Sequence, residues 1–175
     1  MEFQGYLRKD GRKGIRNLTL VAYLVECAHF VASEIALPNR KNDVQVVGFG
    51  GCYPNSHASK VLTNLCTHPN VGAVLIVSLG CESFNRIKLA KDVKASGRIV
   101  ETLVIQKCGG TKKTIDVGQE WIEKTIIELT DTPKVKMGIE DLIVGTICGG
   151  SDATSGISAN PAVGLTFDKL VQNNG

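Results

Sequence analysis

Aromatic side chains are scarce, at 5% of 175 residues with a single tryptophan, and no excess of either charge stands out: 20 Lys and Arg against 17 Asp and Glu leave a net charge of +3. Nucleic-acid interfaces combine basic patches with stacking aromatics, and no Lys/Arg block here stands beside stacking aromatics. No apolar run approaches the ~18 residues that a membrane span requires. "LTLVAYLV" is too short, and begins too late, for a signal-peptide core. A cytoplasmic chain with neither nucleic-acid nor membrane partners is therefore expected. No CxxC pair occurs, which argues against a zinc knuckle. The six cysteines are spread between core-like stretches of a chain too long to depend on disulfides, so reduced thiols are expected. There is no G-x-x-x-x-G-K-[ST] motif. "GFGGCY" supplies the first two glycines of G-x-G-x-x-G but has Tyr53 at the third, and the first strand runs into "ECAHF" without any glycine. Dinucleotide and P-loop chemistry are thereby disfavoured.

What is present is a regular alternation. Nearly continuous aliphatic and β-branched runs at 18–25, 44–49, 72–79, 100–106 and 141–148 read as strands buried on both faces. Between them, helical spacing predicts helices at about 28–37, 57–67, 85–96 and 112–129, separated by turn signals such as "LPNRKND" and "DTPK". The pattern predicts one α/β domain over 1–175: a three-layer, doubly wound, mostly parallel five-stranded sheet of Rossmann-like type. Strand order is not readable.

Ligands in open α/β sheets bind beyond the carboxyl ends of the strands. Five loops should meet there, and each carries a cysteine: Cys27, Cys52, Cys81, Cys108 and Cys148. The same loops display Glu26, His29, His57, Glu82, Gln106, Thr111, Ser151 and Asp152, the composition of a metal or acid–base site. Each feature also has a plainer reading. Cysteine often packs as a small hydrophobe, above all Cys66 inside a helix. Ser151 and Asp152 suit the start of a turn or helix. His68, before Pro69, suits a helix end. The lead-in "GYLRKDGRKGIRN" is either a solvated basic segment or one whose Arg12 and Arg16 bind a carboxylate bidentately.

"GYLRKDGRKGIRN", "HPNVGAVLIVSLGCE", "IQKCGGTKKTI" and "CGGSDATSGISANPAVG", in order along essentially the whole chain, resemble the altronate/galactarate dehydratase family of sugar-acid hydro-lyases. The resemblance implies dehydration of a sugar acid to a 2-keto-3-deoxy acid with a divalent metal, Fe2+ or alternatively Mn2+. Related members act on other 2-hydroxy acids, including a sulfolactate lyase. It also implies a chain that is a fragment of a longer dehydratase, lacking an N-terminal small domain and the C-terminal remainder. A homo-oligomer is expected because homodimers are the commonest assembly.

Removing a proton next to a carboxylate builds up enediolate charge, which a divalent cation can stabilise. A base must take the proton, and an acid assists the departing hydroxyl. On this logic His57 and His29 are the catalytic candidates, with His57 preferred for its place at a helix start. Arg12, Arg16, Asn17, Gly109, Gly110, Thr111, Ser151 and Asp152 are the substrate-binding candidates, and Cys52, Cys81 and Glu82 the metal candidates. The competing readings are an iron–sulfur cluster held by the converging thiols and a non-catalytic small-molecule-binding domain.

Overall fold

The computed structural model describes residues 2–175, which fall into two compact units: Tyr6–Lys134, and a second that takes in the residues up to Gly5 with Val135–Gly175.

The chain enters the larger unit at Tyr6, within β1 (Phe3–Leu7), and continues through a two-residue β2 (Lys13–Gly14), paired antiparallel with Tyr6 opposite Gly14. Then come β3 (Leu18–Tyr23), α1 (His29–Ala36), β4 (Val44–Gly48), α2 (Ser56–Cys66), β5 (Val71–Ser78), α3 (Arg86–Ala95), β6 (Ile99–Val104), the single turn α4 (Ile105–Cys108) and α5 (Thr111–Leu129). The four helices expected from periodicity are therefore present within a residue or two of their predicted ends. Asparagines set two of their starts: the Asn55 side chain accepts from Ala58 N–H at 2.8 Å, and that of Asn85 from Lys88 N–H at 2.9 Å.

The sheet is parallel with order β4-β3-β5-β6, in register from Thr19 opposite Val44 to Ser78 opposite Val104. All eight residues of β5 are buried, as its unbroken apolar run requires of an interior strand. Alternate side chains of β3 and β5 feed two cores. Val21, Leu75 and Val77 pack with Val31 and Ile35 of α1 and Ile122 of α5, while Leu20, Val74 and Ile76 pack with Leu62 of α2 and Leu89 and Val93 of α3. Helices on both faces confirm the doubly wound α/β class. Cys66 is fully buried in the second core, and burial pushes its thiol up to about 12, so it packs as a hydrophobe. All six cysteines are free thiols.

The expected fifth strand does not form. Residues 139–141 make a 3-10 turn, and 142–150 carry no regular structure, with Ile143 98% and Ile147 93% exposed. The parallel sheet accordingly has four strands. An apolar run shows that a segment suits burial. It becomes a strand only when a neighbouring edge takes up its N–H and C=O groups, and among the described residues none does so for 142–150. The smaller unit also holds β7, whose span Lys134–Met137 begins at the unit boundary, and α6 (Ala159–Gln172), a helix the periodicity reading did not predict. No helix among the described residues is long and apolar enough to cross a membrane.

Candidate active site

Strand order locates the crevice. From β3 the chain passes to α1 on one face of the sheet, and from β5 to α3 on the other, while β3 and β5 are neighbours. In sequence order of the parallel strands this is the 2-1-3-4 winding, whose switch point lies between the carboxyl ends of β3 and β5. The loops after these strands carry Glu26, Cys27 and His29 on one side, and Gly80, Cys81 and Glu82 on the other. The loop after β4 joins both: Glu26 N–H donates to Gly50 O at 3.2 Å, and Ser83 N–H to Cys52 O at 3.0 Å.

Glu26 and His29 form a pair there. Nδ1 of His29 lies 3.1 Å from Glu26 Oε1, and the imidazole stacks on the Tyr23 ring with centroids 4.7 Å apart. His57 lies in the first turn of α2, exposed, and its side chain has no hydrogen-bond partner among the described residues. Gly109 and Gly110, at φ +91° and +102°, turn the chain from α4 into α5, which Thr111 opens.

Glu82 sits differently from the thiols around it. Its carboxylate is buried, with Oε1 accepting from the Ser78 hydroxyl and Oε2 from Gly80 N–H at 2.8 Å. Burial acts to raise its pKa, but these hydrogen bonds, its own N–H and nearby Arg86 outweigh it and hold the group below its ordinary value. Gly80 itself has φ +128°, and a Cβ there would lie 2.5 Å from Gln106 Oε1, so the Glu82 carboxylate fastens a turn that only glycine fits. Glu82→Gln should cost about 1–3 kcal/mol in urea unfolding at pH 7, because an amide cannot accept both bonds. Hydrogen-exchange protection at Gly80 should fall with it.

Cys52 and Cys81 are exposed. Among the described residues no three or more His, Cys, Asp or Glu side chains gather as a metal site. Cys52, Cys81 and Glu82 therefore do not make a metal cage by themselves, and both Glu82 oxygens already have partners.

Arg12, Arg16 and Asn17 lie at the other end of the sheet. Asn17, Asp43, Asn70 and Arg98 each immediately precede one of the four parallel strands, and the basic lead-in ties these positions together. Arg16 pairs with Asp43 at 2.7 Å, and Asn70 Oδ1 accepts from the N–H groups of Ile15 and Arg16. Arg8, buried, donates to Pro69 O, Asn17 Oδ1 and Arg16 O. The Asn17 amide donates to Leu129 O and the Thr132 hydroxyl. Asp10 accepts from Arg12 at 2.8 Å and from Arg98, whose side chain is 1% exposed and also donates to Ser96 O. Burial acts to raise the Asp10 pKa, yet the Arg12 and Arg98 guanidinium groups hold it well below the usual carboxylate range. Burial, with Arg12 and Arg98 nearby, lowers that of His68, whose Nδ1 accepts from Asn70 N–H. The length of β3, about 20 Å for its six residues, separates this clasp from the crevice. The structure thus brings Glu26, His29, Cys52 and Glu82 to one edge of the sheet, and does not bring Arg12, Arg16 or Asn17 there. The sequence reading passed over Arg8, Asp10 and Arg98. The one signal for them was "RKDGR", a turn with an aspartate set among cations.

Ser151 and Asp152 belong to the smaller unit. There the Asp152 carboxylate accepts from Thr154 N–H and the Thr154 hydroxyl, both at 2.7 Å, which lowers its pKa and marks a turn. The Cys148 thiol lies 3.7 Å from the Ser151 hydroxyl.

A family model described as D-galactarate dehydratase/altronate hydrolase, second domain, matches residues 5–130, and one described as D-galactarate/altronate dehydratase, C-terminal, matches residues 139–175. Among curated proteins the chain is similar to altronate dehydratase of Escherichia coli, 29% identical over 99% of this chain and 37% of that protein. It is similar to the (2R)-sulfolactate sulfo-lyase subunit beta of Chromohalobacter salexigens, 31% identical over 97% of this chain and 44% of the relative. It is also similar to galactarate dehydratase (L-threo-forming) of Escherichia coli, 32% identical over 97% and 37%. The chain spans less than half the length of these relatives. No solved structure matches it.

Proposed function

The chain belongs to the D-galactarate dehydratase/altronate hydrolase family, and from that premise we propose that it supplies the doubly wound part of the catalytic region of an enzyme that dehydrates a sugar acid to a 2-keto-3-deoxy acid. The observation that carries this reading is the second-domain match over residues 5–130, which takes in all four parallel strands and the crevice at their carboxyl ends.

The chemistry asks for a base near the carbon next to a carboxylate, and for groups that hold the substrate's oxygens. His29, beside Glu26 at the switch point, is the base. His57, in the first turn of α2, serves the departing hydroxyl. Gly109, Gly110 and Thr111 open α5, a 19-residue helix whose N-terminus favours a carboxylate. Ser151 and Asp152 are further candidates for substrate oxygens. Arg12, Arg16 and Asn17 hold the amino edge of the sheet and act on the substrate only through the fold.

A divalent cation, Fe2+ or Mn2+, is the cofactor proposed for the whole enzyme, where it would stabilise enediolate charge. Cys52, Cys81 and Glu82 do not complete its ligand set here, so each step above uses this chain's own residues. The whole enzyme is further proposed to work in the cytoplasm as a homo-oligomer.

The test is an assay of the full-length gene product against altronate- and galactarate-type acids, following the 2-keto-3-deoxy acid released, with metal and sulfide measured on the same preparation. His29→Asn and His57→Asn should each lower kcat by about 10²–10⁴. Release of sulfite from sulfolactate without dehydration of any sugar acid would replace the hydro-lyase reading with a sulfo-lyase one. Stoichiometric sulfide would point to an iron–sulfur cluster instead.

A further inference from the structure

We propose that Glu26 is the positioning residue that holds His29 as the proton acceptor, with Tyr23 as the platform beneath the ring. This rests on the dehydratase reading above.

An exposed carboxylate three residues from a histidine is commonplace, and by itself would carry little. Here the surroundings fix the pair. Glu26 is tied through its N–H to Gly50 O at 3.2 Å. A Cβ on Gly50 would stand 3.1 Å from Glu26 Oε2, and one on Gly48 would stand 2.4 Å from the Tyr23 ring. The end of β4 and the loop after it therefore leave room for both the carboxylate and the stacked ring. The Tyr23 ring, half-buried at the end of β3, lies at a 28° interplanar angle to the imidazole. A ring held on its face by Tyr23 and at Nδ1 by Glu26 has little freedom left. His29 Nε2 has no hydrogen-bond partner among the described residues, and the side chain is 47% exposed.

The consequence is a tautomer. With Nδ1–H donated to the Glu26 carboxylate, Nε2 carries the lone pair. In the reaction the substrate Cα–H bond breaks, Nε2–H forms, and the electron pair passes into the carboxylate as an enediolate. The Cβ–O bond then breaks, and the departing oxygen takes a proton from His57, which solvent reprotonates, and leaves as water. The resulting enol becomes the ketone, and the imidazolium returns its proton to solvent. Glu26 keeps the lone pair on Nε2 beforehand and stabilises the imidazolium afterwards, the role an orienting carboxylate plays beside a catalytic histidine.

Two readouts separate the pair from the reaction. In nitrogen-15 NMR of the chain at pH 8, His29 should show an unprotonated Nε2. Glu26→Ala should move the neutral ring toward the Nε2–H form. In the full-length enzyme Glu26→Ala should lower kcat about a hundredfold and kcat/KM equally, with circular dichroism unchanged. The same tautomer in both proteins overturns the proposal. So does a Glu26→Ala enzyme that turns over sugar acid at the wild-type rate, while leaving the dehydratase reading intact. A wild-type enzyme inert toward every sugar acid removes that reading instead, and His29 as its base with it, whatever the tautomer shows.

Discussion

Asp10→Ala should cost about 3 kcal/mol of stability at pH 7, because it leaves a buried guanidinium without its counter-ion. The Arg98 side chain is 1% exposed against 24% for Asp10, and the remaining partners of Arg98 are backbone carbonyls, Ser96 O at 2.6 Å and His68 O at 3.3 Å. Adding Arg98→Met should recover more than half of the loss, because the cost lies in the stranded charge and not in the absence of the pair. The pH dependence has a definite sign. The folded Asp10 pKa is depressed, so its contribution is complete above the unfolded value of about 3.9 and is lost as the pH falls below that value toward the folded one. His68 acts in the same direction but begins higher: its folded pKa is lowered, so protonation favours the unfolded chain below about pH 6.5. Urea unfolding of wild type and Asp10→Ala at pH 7 and pH 3 measures both effects. The gap between the two proteins should narrow at pH 3. Equal midpoints at pH 7 would mean that solvent, not Asp10, balances Arg98.

Leu75→Ala should cost about 2–5 kcal/mol, a large share of the 5–15 kcal/mol typical of a domain. Leu75 is fully buried in β5, paired with Val21 of β3 on one side and Glu101 of β6 on the other, and packed in the core that Ile35 and Ile122 share. Ladders on both sides hold the strand in place, so the cavity cannot close by backbone movement. The matched control is Ile127→Ala, on an outer face of α5 and 71% exposed, which should change stability by no more than about 0.5 kcal/mol. The urea midpoint should move for Leu75→Ala with the m-value unchanged.

The two predictions concern features that differ in how far the sequence shows them. Leu75 lies in "VGAVLIVS", a run that reads as a central strand on its face. Asp10 and Arg98 are 88 residues apart, and no local pattern connects them. The histidines show the same split. His57 follows a glycine-rich loop at a helix start, a strong local signal, yet it has no partner among the described residues. His29 follows a strand end without glycines, a weak signal, yet Tyr23 and Glu26 hold it. Periodicity also read 141–148 as a strand of the same sheet, whereas the second-domain match ends at 130 and the C-terminal match begins at 139, so that apolar run falls under a different family match from the four strands.

By itself the sequence determined the local elements: four parallel strands, four helices, their order, the α/β class, and four motifs that carry the family. These depend on residue type and spacing, which act over a few residues. Only the tertiary structure decided which strands are neighbours, and so where the winding reverses, which loops meet there, and that "GYLRKDGRKGIRN" clasps the amino edge of the sheet instead of facing the crevice. The physical reason is that a parallel strand buried on both faces carries the same aliphatic pattern whichever strand lies beside it. Lateral order is settled by packing and hydrogen bonding between segments far apart in the chain.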